Sequence, residues 1–164
     1  MLKEDFDFVL CVIDVDTLCA HHKIEKFIQD CKKLPSKIIP ITSNPCIEIW
    51  FIMHFLEKPS DKMYPTYESL HNLIDKYLSP DYDKSKKFFE NHDIFSKMED
   101  NNGFEKATQN ALFRSKKVKS YQNIANHSYS EIYTVLQQLE ICKSCNFKKD
   151  CQHCIKDMKV LFNL

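Results

Sequence analysis

Three acidic residues stand in two motifs whose composition could build a metal site. Asp14 and Asp16 lie in VIDVDT, where the apolar run of residues 7–14 ends, and Glu48 lies within the apolar run SNPCIEIWFIMHF. Burying a carboxylate is costly unless it is paired or bound to a metal. Residues two apart on a strand share one side, and ligands of open α/β sheets bind beyond the carboxyl ends of the strands. The aspartate pair therefore predicts a Mg²⁺-binding site.

Glu48 is expected to join this pair. If Asn44 caps a helix and Pro45 is its first residue, Glu48 lies in the opening turn, at the same edge of the sheet as the aspartates. Two simpler interpretations stay open. In the first, one aspartate caps the following helix and the other is solvated. In the second, Glu48 interacts favourably with the helix dipole or with a buried arginine. On the same helix, His54 is expected to be a hydrogen-bonded core residue and Trp50 a packing residue.

A second group of candidate ligands lies near the carboxyl end of the sequence. CKSCNFKKDCQHC holds two C-x-x-C pairs, made by Cys142, Cys145, Cys151 and Cys154. This spacing predicts a structural Zn²⁺ site, with an iron–sulfur cluster as the alternative because the pairs lie closer than in most zinc ribbons. His153 could replace one thiolate, and four free thiols are the remaining interpretation. The other cysteines are expected to pack in the core: Cys11, Cys19, Cys31 and Cys46.

A basic segment, RSKKVK, offers a candidate nucleic-acid contact through Arg114, Lys116, Lys117 and Lys119. Such side chains can grip the phosphate backbone of DNA or RNA. The favoured interpretation is a solvated helix end, since cations belong near the carboxyl end of a helix.

Composition excludes several functional classes. The formal net charge is zero, so no global attraction to nucleic acid or to a membrane surface is expected. The single glycine, Gly103, rules out a glycine-rich phosphate loop, so ATP-driven or NAD-dependent chemistry is not expected in this chain. The opening MLKEDFDF lacks the features of a secretory signal, and the longest apolar stretch is too short to span a bilayer. The chain is therefore predicted to be cytoplasmic.

The elements that must position these residues form an α/β pattern. Residues 7–14 and 36–42 predict two parallel strands, separated by helical spacing over residues 18–34 and followed by the helix that begins at Asn44. Further helices are predicted near residues 66–78, 84–98, 103–118 and 129–141. Two domains are expected, a core of residues 1–140 and a cysteine-rich extension of residues 141–164. A two-stranded sheet is too thin to stand alone, so a further strand is expected from this chain or from another.

These motifs resemble the RloB-like family of prokaryotic proteins, which is related to the TOPRIM fold. VIDVDT matches the family's aspartate pair, and SNPCIEIWFIMHF is close to its Ser-Asn-Pro-Cys-Phe-Glu-Leu-Trp pattern ending in His-Phe. ANHSYSEIYTVLQQL is similar to the family's closing segment, although His127 stands where proline is expected. The resemblance covers roughly residues 7–140.

The resemblance implies a small, parallel, TOPRIM-like sheet flanked by helices, with a helical half and the Cys₄ knuckle after it. It also implies a cytoplasmic role in phage defence or abortive infection, beside an ATPase partner, with metal-dependent phosphodiester cleavage as the expected chemistry. Asp14 and Asp16 would then hold Mg²⁺ or Mn²⁺, and Glu48 would complete or orient the coordination shell of that ion. The ion would polarise the phosphate and help to generate hydroxide.

One departure from the family pattern matters for this expectation. Family members usually begin with a strand and a glycine-rich turn bearing glutamates, and this sequence starts too late to hold them. Glu4 and Asp7 precede or begin the first strand, at the wrong edge to replace them. The start is truncated, a partner supplies the strand, or catalysis is lost.

The leading hypothesis is a metal-dependent nuclease subunit of an anti-phage system that cuts DNA or RNA, alone or as a homo-oligomer. The alternatives are a non-catalytic adaptor that docks on an ATPase and a nucleic-acid-binding module.

Overall fold

A three-stranded mixed sheet lies at the centre of the computed structural model, which describes residues 9–35, 38–118 and 121–144. Strand β1 (Val9–Asp14) pairs in parallel with β2 (Ile38–Asn44), and β3 (Tyr129–Ser130) pairs antiparallel with the other edge of β2. The predicted α/β class and the parallel pair are confirmed. The wholly parallel sheet is wrong, because β3 adds an antiparallel strand where a helix was predicted to begin.

The first connection of the sheet contains two short helices instead of the single predicted one. They are α1 (Val15–Ala20) and α2 (Ile24–Cys31). Between them His22 adopts a left-handed backbone conformation, with φ of 51°. A right-handed helix cannot continue through that conformation, so the chain turns there and α2 starts in a new direction.

Helix α3 (Glu48–Met53) begins later than the sequence predicted. Asn44 is the last residue of β2 and does not cap the helix; its side-chain amide donates hydrogen bonds to the carbonyls of Ile124 and His127. The Asn44–Pro45 peptide bond is cis. Glu48 is therefore the first residue of α3, still at the carboxyl edge of the parallel strands.

The rest of the described chain is mainly helical. It contains α4 (Tyr67–Tyr77), α5 (Lys86–Asn91), α6 (Ile94–Glu99), α7 (Gly103–Ser115) and α8 (Ile132–Ser144), with 3₁₀ turns over Asp100–Asn102 and Tyr121–Asn126. Thr66, Ser85 and Asp93 cap α4, α5 and α6 through their side-chain oxygens. The cap at Asp93 explains why the helix predicted over residues 84–98 is two helices. None of the helices in the described ranges has both the length and the apolar character needed to cross a membrane.

The main core forms around α3. Its side chains Ile49, Trp50, Ile52 and Met53 are buried against residues of α4 and α7, including Leu70, Ile74, Ala107 and Ala111. Because α3 is packed on several sides, its first residue is fixed in position. The core therefore holds Glu48 at the sheet edge.

Candidate functional site

Asp14 lies at the carboxyl end of β1 and holds the turn that leads into α3. Its Oδ1 accepts a hydrogen bond of 2.9 Å from the backbone N–H of Ile47. Its Oδ2 lies 3.2 Å from the ammonium of Lys84. The strand that ends at Asp14 is thereby joined to the residue before Glu48.

Glu48 is fully buried, with 0% of its side chain exposed. Its Oε1 accepts a hydrogen bond of 2.9 Å from the Tyr82 hydroxyl and lies 3.0 Å from the Lys84 ammonium. Its Oε2 is also buried and has no hydrogen-bond partner among the described residues. A buried, unpaired carboxylate oxygen is costly, so a ligand that reached this oxygen would relieve that cost.

Lys84 lies between the two carboxylates. It reaches them from the connection between α4 and α5, and its ammonium lies 5.6 Å from the centre of the Tyr67 ring. Desolvation alone would lower the pKa of Lys84, but its contacts with Glu48 and Asp14 raise that pKa above its ordinary value. The lysine is therefore charged and supplies the positive charge that the two carboxylates share.

The buried Glu48 charge also affects neutral neighbours. Burial raises the pKa of the Tyr82 hydroxyl and of the Cys46 thiol, and the Glu48 carboxylate beside them adds to both shifts. Both groups stay protonated at neutral pH. Tyr82 can therefore act as a hydrogen-bond donor to Glu48 without adding a competing negative charge.

Asp16 lies in the first turn of α1, and the prediction that it continues the strand is wrong. Its backbone N–H donates to the Pro45 carbonyl over 2.9 Å, which places it beside the turn that precedes α3. Desolvation raises the pKa of Asp16; the charge of Asp14 raises it further, while hydrogen bonds from Thr17 and the charge of Lys84 oppose the increase. Asp16 is thus electrostatically part of the cluster but is not bridged by Lys84.

The three predicted carboxylates share one edge of the sheet without forming a completed metal shell. In the part of the chain that the structure describes, no group of three or more His, Cys, Asp or Glu side chains is arranged to hold a metal ion. Asp14 and Glu48 instead converge on Lys84. Sequence reasoning missed both Lys84 and Tyr82, which lie more than thirty residues after Glu48 in SPDYDKS. A loop rich in polar residues gave no signal that two of them turn inward.

The basic segment has little in common with a phosphate-binding surface. Arg114 is only 3% exposed, and its guanidinium donates to the backbone carbonyls of Lys62 and Ser128. Arg114 is therefore not the solvated helix-end cation that the favoured interpretation expected, and the nucleic-acid contact of the segment stays a prediction. Lys117 forms an ion pair of 2.6 Å with Asp61, and Lys116 is exposed. The fourth predicted residue, Lys119, lies outside the described residues.

The predicted zinc ligands fall mostly outside the described residues. Cys142 belongs to α8, while Cys145, Cys151 and Cys154 lie beyond the last described residue. The zinc site stays a prediction.

The prediction of core cysteines is confirmed for Cys31 and Cys46, which are buried, whereas Cys11 and Cys19 are half-buried.

His54 and Trp50 have the structural roles that the sequence predicted. The His54 ring nitrogen Nδ1 lies 2.9 Å from the Trp50 carbonyl, and both side chains are buried. A carbonyl oxygen can only accept, so Nδ1 carries the proton of this hydrogen bond. Neither residue contributes to the acidic cluster.

Comparison with known proteins gives the family. A family model described as RloB-like protein matches residues 2–139. The chain belongs to the RloB-like family. The match takes in the whole sheet, the acidic cluster and most of α8, and the family inferred from VIDVDT and SNPCIEIWFIMHF is confirmed. No curated protein and no solved structure matches this RloB-like chain significantly.

Proposed function

We propose that this protein is a cytoplasmic, metal-dependent nuclease subunit of a prokaryotic anti-phage system, with a TOPRIM-like core and an ATPase partner. The observation that carries the proposal is the convergence of Asp14 and Glu48 on one cation, the Lys84 ammonium, at the carboxyl edge of the parallel strands. Ligands of α/β sheets bind at this edge.

The residue types at this edge suit a divalent ion. Asp14 and Glu48 share the Lys84 ammonium and the Asp16 carboxylate lies close enough to feel their charges, so carboxylates outnumber cations in this part of the described chain. Glu48 Oε2 is buried and unpaired within the described chain. Carboxylate oxygens are the ligands that Mg²⁺ and Mn²⁺ prefer, and Mg²⁺ needs few protein ligands because it keeps several waters.

The chain's own groups would prepare this site for phosphodiester cleavage. Asp14 and Glu48 would hold the ion, with Asp16 beside them. The Ile47 N–H and the Tyr82 hydroxyl each fix one carboxylate oxygen, which keeps both groups oriented before a ligand arrives. When bound, the metal would polarise a phosphate oxygen and lower the pKa of a bound water.

A cleavage assay tests the proposal. Purified protein is incubated with labelled RNA and DNA in Mg²⁺ or Mn²⁺, with and without the ATPase partner, beside Asp14→Asn and Glu48→Gln. We expect metal-dependent cleavage that both substitutions abolish. Glu105→Gln, a change at an exposed acid on α7, is the matched control and keeps full activity. Cleavage that survives in folded Asp14→Asn and Glu48→Gln would contradict the proposal.

An adaptor without catalysis is the second candidate, and a specific observation favours it. On the edge strand β1, Leu10 and Val12 are 38% and 53% exposed, which gives this strand an apolar face. Exposed apolar patches often mark protein interaction sites. Absence of cleavage under every condition, together with stable association with the ATPase, would support the adaptor.

We further propose that the cysteine-rich extension of residues 141–164 holds one structural Zn²⁺ through Cys142, Cys145, Cys151 and Cys154. The spacing of the two C-x-x-C pairs supports this assignment. Elemental analysis of the purified protein should find one zinc per chain, lost in Cys145→Ser but kept in Cys19→Ser. Iron with an accompanying visible absorption band would assign an iron–sulfur cluster instead.

A further inference from the structure

We propose that Lys84 is the internal counter-ion of the acidic cluster: it occupies the cation position in the metal-free protein, and a divalent ion must displace it. This inference rests on the proposed function in one respect, that the cluster takes a divalent ion. It adds a regulatory residue that the sequence motifs do not contain.

The geometry of Lys84 is that of a bridging cation. Its ammonium lies 3.0 Å from Glu48 Oε1 and 3.2 Å from Asp14 Oδ2. These two oxygens come from different elements, the start of α3 and the end of β1. A single positive centre therefore links the same two carboxylates that are proposed to hold the metal.

Burial explains why a counter-ion is needed. Glu48 is completely inaccessible to solvent, and Lys84 is its only ion-pair partner among the described residues. An isolated buried carboxylate is strongly unfavourable, whereas a paired one is tolerated. Without a metal, Lys84 is the group that makes the buried charge tolerable.

The partial exposure of the Lys84 side chain explains how its ammonium can move away from the two carboxylates. Its side chain is 51% exposed, and it lies just before Ser85, the cap of α5. The long, flexible lysine stem lets the ammonium move into solvent without unfolding a helix. Arg114, by contrast, is buried and donates to two carbonyls, so it has no comparable exit.

Competition between lysine and metal follows from these contacts. Both would bind the same two carboxylates, and two positive centres held there together would repel each other, so binding of one must weaken binding of the other. Removing the lysine charge should therefore strengthen metal binding. It should also leave the metal-free protein less stable, because Glu48 then keeps the Tyr82 hydrogen bond but has no ion-pair partner among the described residues.

Calorimetric titration with MnCl₂ and thermal unfolding in EDTA test this competition. For Lys84→Met we expect Mn²⁺ to bind tighter by about fivefold or more, the lower end of usual coupling between sites. We also expect a lower Tm in EDTA, with a difference from wild type that closes as Mn²⁺ saturates. Lys84→Arg keeps the charge and should behave nearly as wild type does. Lys86→Met, at an exposed lysine two residues away, is the matched control and should change neither property.

Each result of these measurements either supports or overturns the counter-ion role of Lys84. Equal or weaker Mn²⁺ binding by Lys84→Met, or no Mn²⁺ binding by any form, would overturn the inference. If Lys84→Met does not fold in EDTA, recovery of its circular dichroism on addition of Mn²⁺ supports the inference, and failure to recover overturns it.

The measurement is independent of cleavage. Tighter Mn²⁺ binding by Lys84→Met without any nuclease activity would sustain the counter-ion and refute the proposed function. Cleavage by the wild type, together with unchanged Mn²⁺ affinity in Lys84→Met, would support the proposed function and refute the counter-ion role of Lys84.

Discussion

At the scale of single residues, Lys84 and Arg114 show two ways in which this fold handles a positive charge. Lys84 is half exposed and balances carboxylates, whereas Arg114 is buried and donates to backbone carbonyls. Desolvation lowers the pKa of Arg114, which shows that its surroundings penalise the charge. The first side chain is exposed enough to move, and the second is held in the interior of the fold.

Substitution of Arg114 by lysine should reveal this structural role. Arg114→Lys keeps the charge, but its shorter side chain does not extend as far as Arg114 Nη1, the nitrogen that donates to the carbonyls of both Lys62 and Ser128. We expect the free energy of unfolding to fall by about 1–3 kcal/mol, because a buried charge would keep too few partners. Urea unfolding measures the change, with Lys116→Arg as the exposed control. A wild-type midpoint for Arg114→Lys would disprove the structural role.

His54 should make the protein less stable in mild acid. Burial lowers the pKa of His54 below its ordinary value of 6.5. As the pH falls below about 6.5, the unfolded chain takes up a proton that the folded chain does not, so the free energy of unfolding decreases. His54→Asn can still donate to the Trp50 carbonyl but does not titrate. The wild type should therefore lose stability relative to His54→Asn between pH 6.5 and 5, and parallel curves would refute this assignment.

Residue types alone identified part of the site. Glu48 was recognisable because a carboxylate inside an apolar run must have a partner, and Asp14 because it ends an apolar run that predicts a strand. Tyr82 and Lys84 were not recognisable, since their inward orientation depends on how the connection between α4 and α5 folds against α3. Arg114 was misread because a cation near a helix end is usually exposed, and only the packed structure shows the carbonyls around it.

At the scale of elements, the junction between α6 and α7 depends on the one glycine of the chain. Gly103 is buried, and a Cβ atom added there would lie 1.8 Å from the Met98 carbonyl oxygen. The end of α6 and the start of α7 therefore approach too closely for any side chain. Asn101 and Asn102 take left-handed conformations just before this contact, as asparagine tolerates.

Gly103→Ala should separate these two helices and destabilise the protein. Overpacking of this kind costs about 1–3 kcal/mol in free energy of unfolding. Denaturant midpoints compare it with Glu105→Ala, an exposed position two residues along the same helix. If Gly103→Ala unfolds at the wild-type midpoint, the junction relaxes at no cost and the close contact is unimportant.

Periodicity predicted the long elements better than the short ones. Helices α4 and α7 follow the predicted ranges closely because apolar spacing runs through several turns. Strand β3 has two residues, too few to show any alternation, and its place depends on pairing with Ser43 and Asn44. The break between α1 and α2 depends on the backbone of His22, which no apolar pattern reveals.

At the scale of the whole molecule, the sheet joins distant parts of the chain. Ser43 and Ser130 share a side-chain hydrogen bond of 2.8 Å across the β2–β3 pair. The Glu131 carboxylate accepts hydrogen bonds from both the N–H and the hydroxyl of Thr42. The central strand is thus held from one side by the amino-terminal β1 and from the other by residues close to α8.

A chain that ends after His127 should not fold cooperatively. It would lack β3, Glu131 and α8, and it would leave Thr42, Ser43 and their buried polar groups unpaired. Thermal unfolding followed by circular dichroism should show no sharp transition, whereas a chain that ends after Ser144 should retain one. A cooperative transition in the shorter chain would show that the sheet does not need its third strand.

The pairing of β2 with β3 also sets an order of events during translation. Asp14, Asp16 and Glu48 are synthesised well before β3, because Ser43 and its partner Ser130 are 87 positions apart. Contacts so distant in sequence form slowly because a long loop must close first. The central strand, which leads into the turn before Glu48, lacks one of its two neighbours until β3 has left the ribosome. The three carboxylates are thus made before the sheet that carries them can be completed.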